Sequence, residues 1–194
     1  MATRIDLPVD AKVIRKLRVG DEVRLYGNVI TARDMAHKYM VEKRPDWLRP
    51  LLLNNVIYHC GPVMKKTGKT WSAVAAGPTT SAREEPYQGP VISEYKVRAV
   101  IGKGGMGPKT LAALKKEGAV YLHAVGGLAT VLADAVKEVS GVYMLEEFGV
   151  PEAFWVFKVE NFPAIVTMDS HGNSLHAGIR KESEEAAKRL IHGG

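Results

Sequence analysis

Cysteine is nearly absent from this 194-residue chain, where Cys60 stands alone. A single thiol closes no disulfide within the chain and cannot by itself build a zinc or iron–sulfur site that needs several thiolates. Any such cofactor would have to be borrowed. Long apolar runs are missing as well. The longest uncharged stretch, Gly118–Ala133, is 16 residues long with His123 and three glycines inside it, short of the roughly 18 residues of a bilayer span. No membrane segment is expected. The N-terminus already carries Arg4, Asp6 and Asp10 and so lacks the apolar core of a secretory signal, which makes the cytoplasm the expected location. There is also no Ser/Gly-rich linker and no internal repeat, and residues 1–194 read as one domain.

What is present fits a globular protein, with 46% hydrophobic and 25% charged residues. The formal charge of +6 comes from 27 Lys and Arg against 21 Asp and Glu. The excess lies in the first hundred residues, with 17 basic and 10 acidic side chains, while the remainder holds 10 and 11. It is scattered, never more than two basic residues in a row and without interleaved aromatics. That pattern describes a solvated basic surface or a site for small anions better than a nucleic-acid interface.

The hydrophobic pattern predicts an α/β fold, mostly β in its first half and βαβ-like in its second. Asp21–Ile30 reads as a strand pair or a bent strand interrupted at Gly27, and Ala32–Val41 as a helix with Thr31 as its N-cap. Short strands are expected at Val56–Cys60, Val63–Lys65 and Thr70–Ala76, as parts of one compact sheet. Then come a strand at Val97–Ile101, a helix at Pro108–Glu117, a strand at Ala119–Ala124 and a helix at Gly127–Val136, the order of a parallel βαβ unit. Strands at Val139–Leu145, Ala153–Val159 and Ala164–Met168 precede a C-terminal helix from about residue 173 to 191.

Three junctions concentrate cations and hydrogen-bond donors. Gly102-Lys103-Gly104-Gly105-Met106-Gly107 matches G-x-G-x-x-G between a predicted strand and helix. No Asp or Glu lies in Ala119–Ala133, where a dinucleotide fold needs its ribose-binding acid, and Pro108 interrupts a phosphate loop before Lys109-Thr110. What remains is a glycine turn that exposes amides at a helix start, with Lys103 adding a full charge: an anion site, or simply a tight turn with an exposed lysine. Gly77-Pro78-Thr79-Thr80-Ser81-Ala82-Arg83 offers hydroxyls and a planar guanidinium, and Thr31-Ala32-Arg33-Asp34 repeats the combination. Together they suggest a site for a compact polyanion.

These segments carry a resemblance. Gly27–His37, Gly77–Arg83, Gly102–Gly107, Glu147–Ala153, Phe162-Pro163-Ala164 and Asp169-Ser170-His171-Gly172-Asn173 together resemble the β subunit, or C-terminal domain, of class I iron–sulfur fumarate hydratases and L-tartrate dehydratases, over nearly the whole chain. The resemblance implies a swivelling β/β/α domain. It also implies an α subunit that holds a 4Fe-4S cluster through three cysteines, in a heterotetramer of two α and two β chains, with no cofactor bound by this chain alone. By motif position it places substrate-binding cations at Arg33, Arg83 and Lys103, with Gly102 and Gly104 in the binding loop, and catalytic roles at Thr79 and Lys103. Glu84, next to Arg83, departs from the methionine common in relatives and adds negative charge near the site. Cys60 is expected to be a buried small residue rather than a ligand. His37, His171 and His176 could shuttle protons, contact the partner or be structural, and His59 is assigned no catalytic role.

The implied chemistry is coherent. Hydrating a double bond conjugated to two carboxylates accumulates negative charge on a dianion, so cations must converge there; two arginines can grip carboxylates while Lys103 and loop amides stabilise the developing aci-carboxylate. An unassisted threonine is a weak base, so Thr79 needs nearby cations and a carboxylate from the partner. The reaction expected is reversible hydration of fumarate to L-malate, with L-tartrate or a methyl-substituted fumarate as alternative substrates. A non-catalytic anion-binding module is the rival of a different class.

Overall fold

The computed structural model describes residues 2–192. In chain order it comprises β1 (Thr3–Asp6), α1 (Ala11–Ile14), β2 (Glu22–Thr31), α2 (Asp34–Lys43), α3 (Arg49–Leu52), β3 (Val56–Tyr58), β4 (Val63–Thr67), β5 (Thr70–Ala75), α4 (Glu85–Tyr95), β6 (Ala99–Gly102), α5 (Pro108–Glu117), β7 (Val120–His123), α6 (Ala129–Asp134), β8 (Val136–Tyr143), α7 (Leu145–Phe148), β9 (Phe154–Met168) and α8 (Leu175–His192). Single 3-10 turns at Asp46–Leu48 and Ser81–Glu84 precede α3 and α4. Among the described residues no helix is long and apolar enough to cross a membrane.

Seven strands form one sheet in the order β1-β2-β3-β6-β7-β9-β8, and β9 also pairs with β2, so the sheet closes on itself. β1, β2, β3, β6 and β7 run parallel to their neighbours in that series, whereas β9 is antiparallel to β2, β7 and β8. β4 and β5 stand apart as a hairpin.

Strict alternation along the strands builds two cores. Val29, Val56, Tyr58, Ala99, Ile101, Val120, Leu122, Trp155 and Phe157 pack on the inner face. Their chain neighbours Ile30, Ile57, Val100, Tyr121, Phe154 and Val156 pack outward against α2, α3, α4 and α5. Tyr58 of β3 meets Phe162 of β9 edge-on at 5.3 Å, although the two strands are not neighbours in the sheet. Burial on both faces is why these strands read as unbroken apolar runs rather than as alternating patterns. The hairpin covers part of the inner core, with Trp71 edge-on to Trp155 at 5.1 Å.

The α/β class and the parallel β6-α5-β7 unit match the sequence reading, and α5 occupies the predicted Pro108–Glu117. Several local readings need correction. The first half is not mainly β: α2 and α4 lie within it, and β1 to β3 join the same sheet as β6 and β7. β3 belongs to the main sheet and is not a sister of β4 and β5. The two strands expected at Ala153–Val159 and Ala164–Met168 are one strand, β9, which runs through Asn161 (φ 54°) while its partner β2 shifts register between Leu25 and Gly27. α4 escaped notice because Pro86, Gly89 and Pro90 crowd its sequence. Pro86 occupies the first turn, where no amide is needed, and Val91, Ile92 and Tyr95 anchor the helix in the outer core.

Thr31 is not a helix cap either. The residue before α2 is Arg33, and the Thr31 hydroxyl is buried, donating to the Ala153 carbonyl at 3.1 Å and accepting from the Trp155 amide at 2.9 Å. It ties the end of β2 to the start of β9. Thr31→Val keeps the shape but leaves both backbone groups without that partner, so a loss of about 1–3 kcal/mol is expected. Urea unfolding of the chain checks this, and an unchanged midpoint would show that the tie contributes nothing.

Candidate functional site

The parallel strands β2, β3, β6 and β7 end on one rim, the position where open α/β sheets present their ligand-binding loops. Two of the three junctions identified in the sequence leave from this rim; the third, Gly77–Arg83, follows β5 of the hairpin. Arg33 follows β2, His59-Cys60-Gly61 follows β3, and Lys103 opens the glycine loop after β6.

Thr79–Ser81 is stitched between two of these loops by backbone hydrogen bonds. The Thr79 amide donates to the His59 carbonyl (2.7 Å), the Ser81 amide to the Lys103 carbonyl (3.1 Å), and the His59 amide to the Ile101 carbonyl (2.8 Å). Thr80 and Lys103 form a parallel bridge. Thr79 and Lys103 are therefore neighbours through the backbone. The Thr79 hydroxyl donates to the His59 carbonyl at 3.2 Å. Among the described residues no titratable side chain hydrogen-bonds to it, so this chain supplies no group to activate it as a base.

Both arginines sit against carboxylates. Arg33 lies over Gly61, where an added Cβ would come within 2.3 Å of its guanidinium, and its Nε is 3.4 Å from Glu152. Glu152 also accepts from the Met35 amide at 3.1 Å. Arg83 is exposed and ion-paired with Asp34, the residue after Arg33. The two cations thus flank one loop, each with an internal counter-ion. An arginine has five donors in a planar fork, so either can still receive a ligand carboxylate beside its counter-ion.

The glycine loop differs from its expected role. The start of α5 is already capped by Glu85 of α4, whose carboxylate accepts from the amides of Gly107 (2.8 Å), Lys109 (2.9 Å) and Thr110 (3.2 Å) and from the Thr110 hydroxyl (2.7 Å). The positive end of that helix is spent on a residue of the chain itself. Gly102 is buried in β6, and an added Cβ would lie 1.8 Å from Ser81 Oγ, so its smallness admits Ser81 rather than a ligand. Gly104 is different: it is exposed, has φ +80°, and has open space where a Cβ would stand. The part of the loop left open therefore narrows to Lys103 and Gly104.

Behind the rim lies a polar layer that the sequence reading missed. His37, His59, Ser81, Glu84 and Gln88 are all buried. Glu84, expected to add charge near the site, is turned inward with its Oε2 3.5 Å from Nδ1 of His37. Burial, followed by the charge of Glu152, pushes its carboxyl up to about 7, against the opposing pull of Arg83 and Arg33. His176 lies farther along the rim, with Nε2 2.9 Å from the Thr167 hydroxyl, and His171 reaches the Arg15 carbonyl at 2.9 Å. The Asp169–Asn173 segment is a turn organiser. Although burial opposes ionisation of Asp169, hydrogen bonds from Asn173, His171 and Val19 hold its carboxyl below the ordinary range.

The raised carboxyl has a measurable sign. Between its ordinary value of 4.5 and about 7, the folded chain keeps a proton on Glu84 that the unfolded chain has released. That contribution to stability is full below the lower value and lost as pH rises through the upper one. Glu84→Gln removes the dependence, while the buried imidazoles titrate in both proteins and drop out of the difference. The variant is expected to gain up to about 3 kcal/mol over the parent on going from about pH 4 to about pH 8. Denaturant titrations at several pH values test this; a difference that does not change with pH would refute the assignment.

The chain is similar to known proteins along most of its length. The family model described as Fumarase C-terminus matches residues 1–179. A Geobacillus stearothermophilus protein provisionally named class I fumarate hydratase is 54% identical over 183 residues, which are 93% of this chain but 35% of that protein. The chain thus spans about a third of that relative's length. A Methanocaldococcus jannaschii protein provisionally named L(+)-tartrate dehydratase subunit beta is 45% identical over 93% of this chain and 94% of its own length. The L(+)-tartrate dehydratase subunit beta of Escherichia coli K12 is 40% identical, with 95% and 91% covered. With a family match across most of its length and relatives of nearly its own size, the chain belongs to the fumarase C-terminus family.

Proposed function

We propose that this chain is the β subunit of a two-subunit hydro-lyase acting on a small dicarboxylate, with fumarate and L-malate as the substrate pair. The observation that carries the reading is the rim itself: Thr79 is fixed beside Lys103 by the backbone, with Arg83 following on the same segment and ion-paired to Asp34, next to Arg33 on the adjoining loop. That is the set of charges a dianion acquiring further charge requires. Arg33 and Arg83 would take the carboxylates, and Lys103 with the Gly104 turn would stabilise the enolate-like charge that follows loss of the proton next to a carboxylate. The name of the 54% identical relative favours fumarate. The names of the two relatives of similar length favour L-tartrate as the second reading.

The 4Fe-4S cluster implied by the resemblance does not fit the residues of this chain. Cys60 is buried, its thiol pushed far up by burial, and among the described residues no group of three His, Cys, Asp or Glu side chains could hold a metal. The proposal therefore assigns the cluster to an α subunit, consistent with relatives named subunit beta. It assigns to the same partner the group that relays a proton from Thr79, since among the described residues the hydroxyl hydrogen-bonds to the His59 carbonyl alone.

The test is reconstitution with the product of an adjacent reading frame that has three separated cysteines. The complex is expected to hydrate fumarate, and the chain alone to be inactive. Lys103→Met or Arg83→Met in the complex should lower kcat/KM by about 10²- to 10³-fold, the scale of removing one key electrostatic group. Full activity in both variants would favour the anion-binding module instead, and robust hydration by the chain alone would defeat the two-subunit reading.

A further inference from the structure

A continuous polar chain runs behind the rim through packing that is otherwise apolar. It begins at the Arg33 carbonyl, 2.9 Å from Nδ1 of His37. Nε2 of His37 lies 2.9 Å from the Gln88 amide, and the same end of that amide is 2.7 Å from Nε2 of His59. Nδ1 of His59 is 2.8 Å from Ser81 Oγ, which is 2.8 Å from the Tyr121 hydroxyl. All five side chains belong to residues that are 0% exposed. The rings of His37 and His59 meet edge-on at 5.0 Å.

Donor and acceptor accounting fixes the state of this chain. The Arg33 carbonyl only accepts, so Nδ1 of His37 must carry hydrogen. Burial pushes His37 down to about 4. Burial and then the neighbouring His37 take His59 well below its ordinary value, so both rings are neutral at pH 7. Of the groups facing His37 among the described residues, Glu84 is the one acid, and its own burial disfavours a charged pair. A neutral ring with hydrogen on Nδ1 presents an acceptor at Nε2. Only an amide nitrogen, with two hydrogens, can donate to Nε2 of both rings. The two ends of a glutamine amide have the same shape, so the partners decide which end faces the rings. With the oxygen there, the amide nitrogen would be buried without a partner.

We propose that Gln88 is a positioning residue, its amide nitrogen bridging two neutral Nδ1–H imidazoles in a strut that sets the placement of Arg33, Thr79 and Lys103. The strut acts through the backbone it braces. His37 holds the Arg33 carbonyl. The His59 carbonyl receives the amide and hydroxyl of Thr79, and the Ser81 amide donates to the Lys103 carbonyl. Only the kinetic consequence rests on the hydro-lyase reading.

Two arms separate the strut from that reading. On the histidine-labelled chain without a partner, long-range proton–nitrogen NMR is expected to show both buried rings neutral with an unprotonated Nε2; a proton on either Nε2 at neutral pH overturns the assignment. In the same chain Gln88→Leu should move the amide resonances of Thr79 and Lys103, and unmoved resonances overturn the bracing. In the reconstituted complex, Gln88→Leu and Gln88→Glu, whose carboxyl has at most one hydrogen to donate and cannot serve both rings, should each lower kcat about 100-fold, the scale of a misplacement of about 1 Å, with a much smaller change in KM. Wild-type kcat in Gln88→Glu counts against the proposal. Should the Gln88 variants fail to fold, Tyr121→Phe removes only the terminal hydroxyl and should lower kcat with KM unchanged; an unchanged kcat overturns it. A complex inactive on every dicarboxylate would defeat the hydro-lyase reading and leave the NMR arm to decide the strut.

Discussion

The antiparallel pairing of β2 with β9 is the constraint on which the rest depends. Without it the parallel strands would form an open sheet with β2 bordered on one side only by β1 and β3. With it, β2 is paired on both edges, Tyr58 can meet Phe162 across the enclosed core, and the strand ends of β2, β3, β6 and β7 are brought to a common rim. The register of this pairing is set by side-chain alternation. A slip of one residue would exchange Val29 with Ile30 and Trp155 with Val156 between the inner and outer cores, and Thr31 pins it with two buried hydrogen bonds.

A rim built this way gathers cations without leaving them bare. Arg33 with Glu152 and Arg83 with Asp34 form local pairs whose carboxylates come from the loop after β2 and the turn before β9. The exposed Arg83 pair adds little to stability, because solvent screens it. Its effect is on geometry: each pair orients its guanidinium, and a dicarboxylate of the kind proposed would have less ordering to impose. The same economy explains Glu85. By capping α5 it fixes the glycine loop, in which Lys103 is the charged residue, from behind.

Much of this was legible in the sequence. The β6-α5-β7 unit announces itself through period and caps: Val97–Ile101, Pro108 opening the helix and Gly118 closing it in the left-handed region. Arg33, Thr79, Arg83 and Lys103 can be named as candidates because junction residues carry polar chemistry in short motifs. What was not legible depends on tertiary pairing. α4 hides behind two prolines and a glycine, since nothing local shows that Val91 and Ile92 find an apolar bed. The continuity of β9 through Asn161 and Pro163 is imposed by β2, and the helix-cap role assigned to Thr31 was lost to a strand 122 residues away. Gly102 misled for the same reason. A glycine in a phosphate-loop-like motif and a glycine that makes room for Ser81 look identical in a sequence.

The buried histidines were the least legible of all. His59 sits in a strand pattern and His37 on a helix, and either alone reads as an ordinary core residue. Only Gln88 on the unrecognised helix joins them. Burying two imidazoles, an amide and a carboxyl in an outer core that could have been aliphatic lowers stability unless every donor meets an acceptor. Satisfying them requires one arrangement of the loops after β2, β3 and β6, whereas aliphatic side chains of the same volume would tolerate several. The polar layer therefore trades packing energy for definition, and it does so directly beneath Arg33, Thr79 and Lys103.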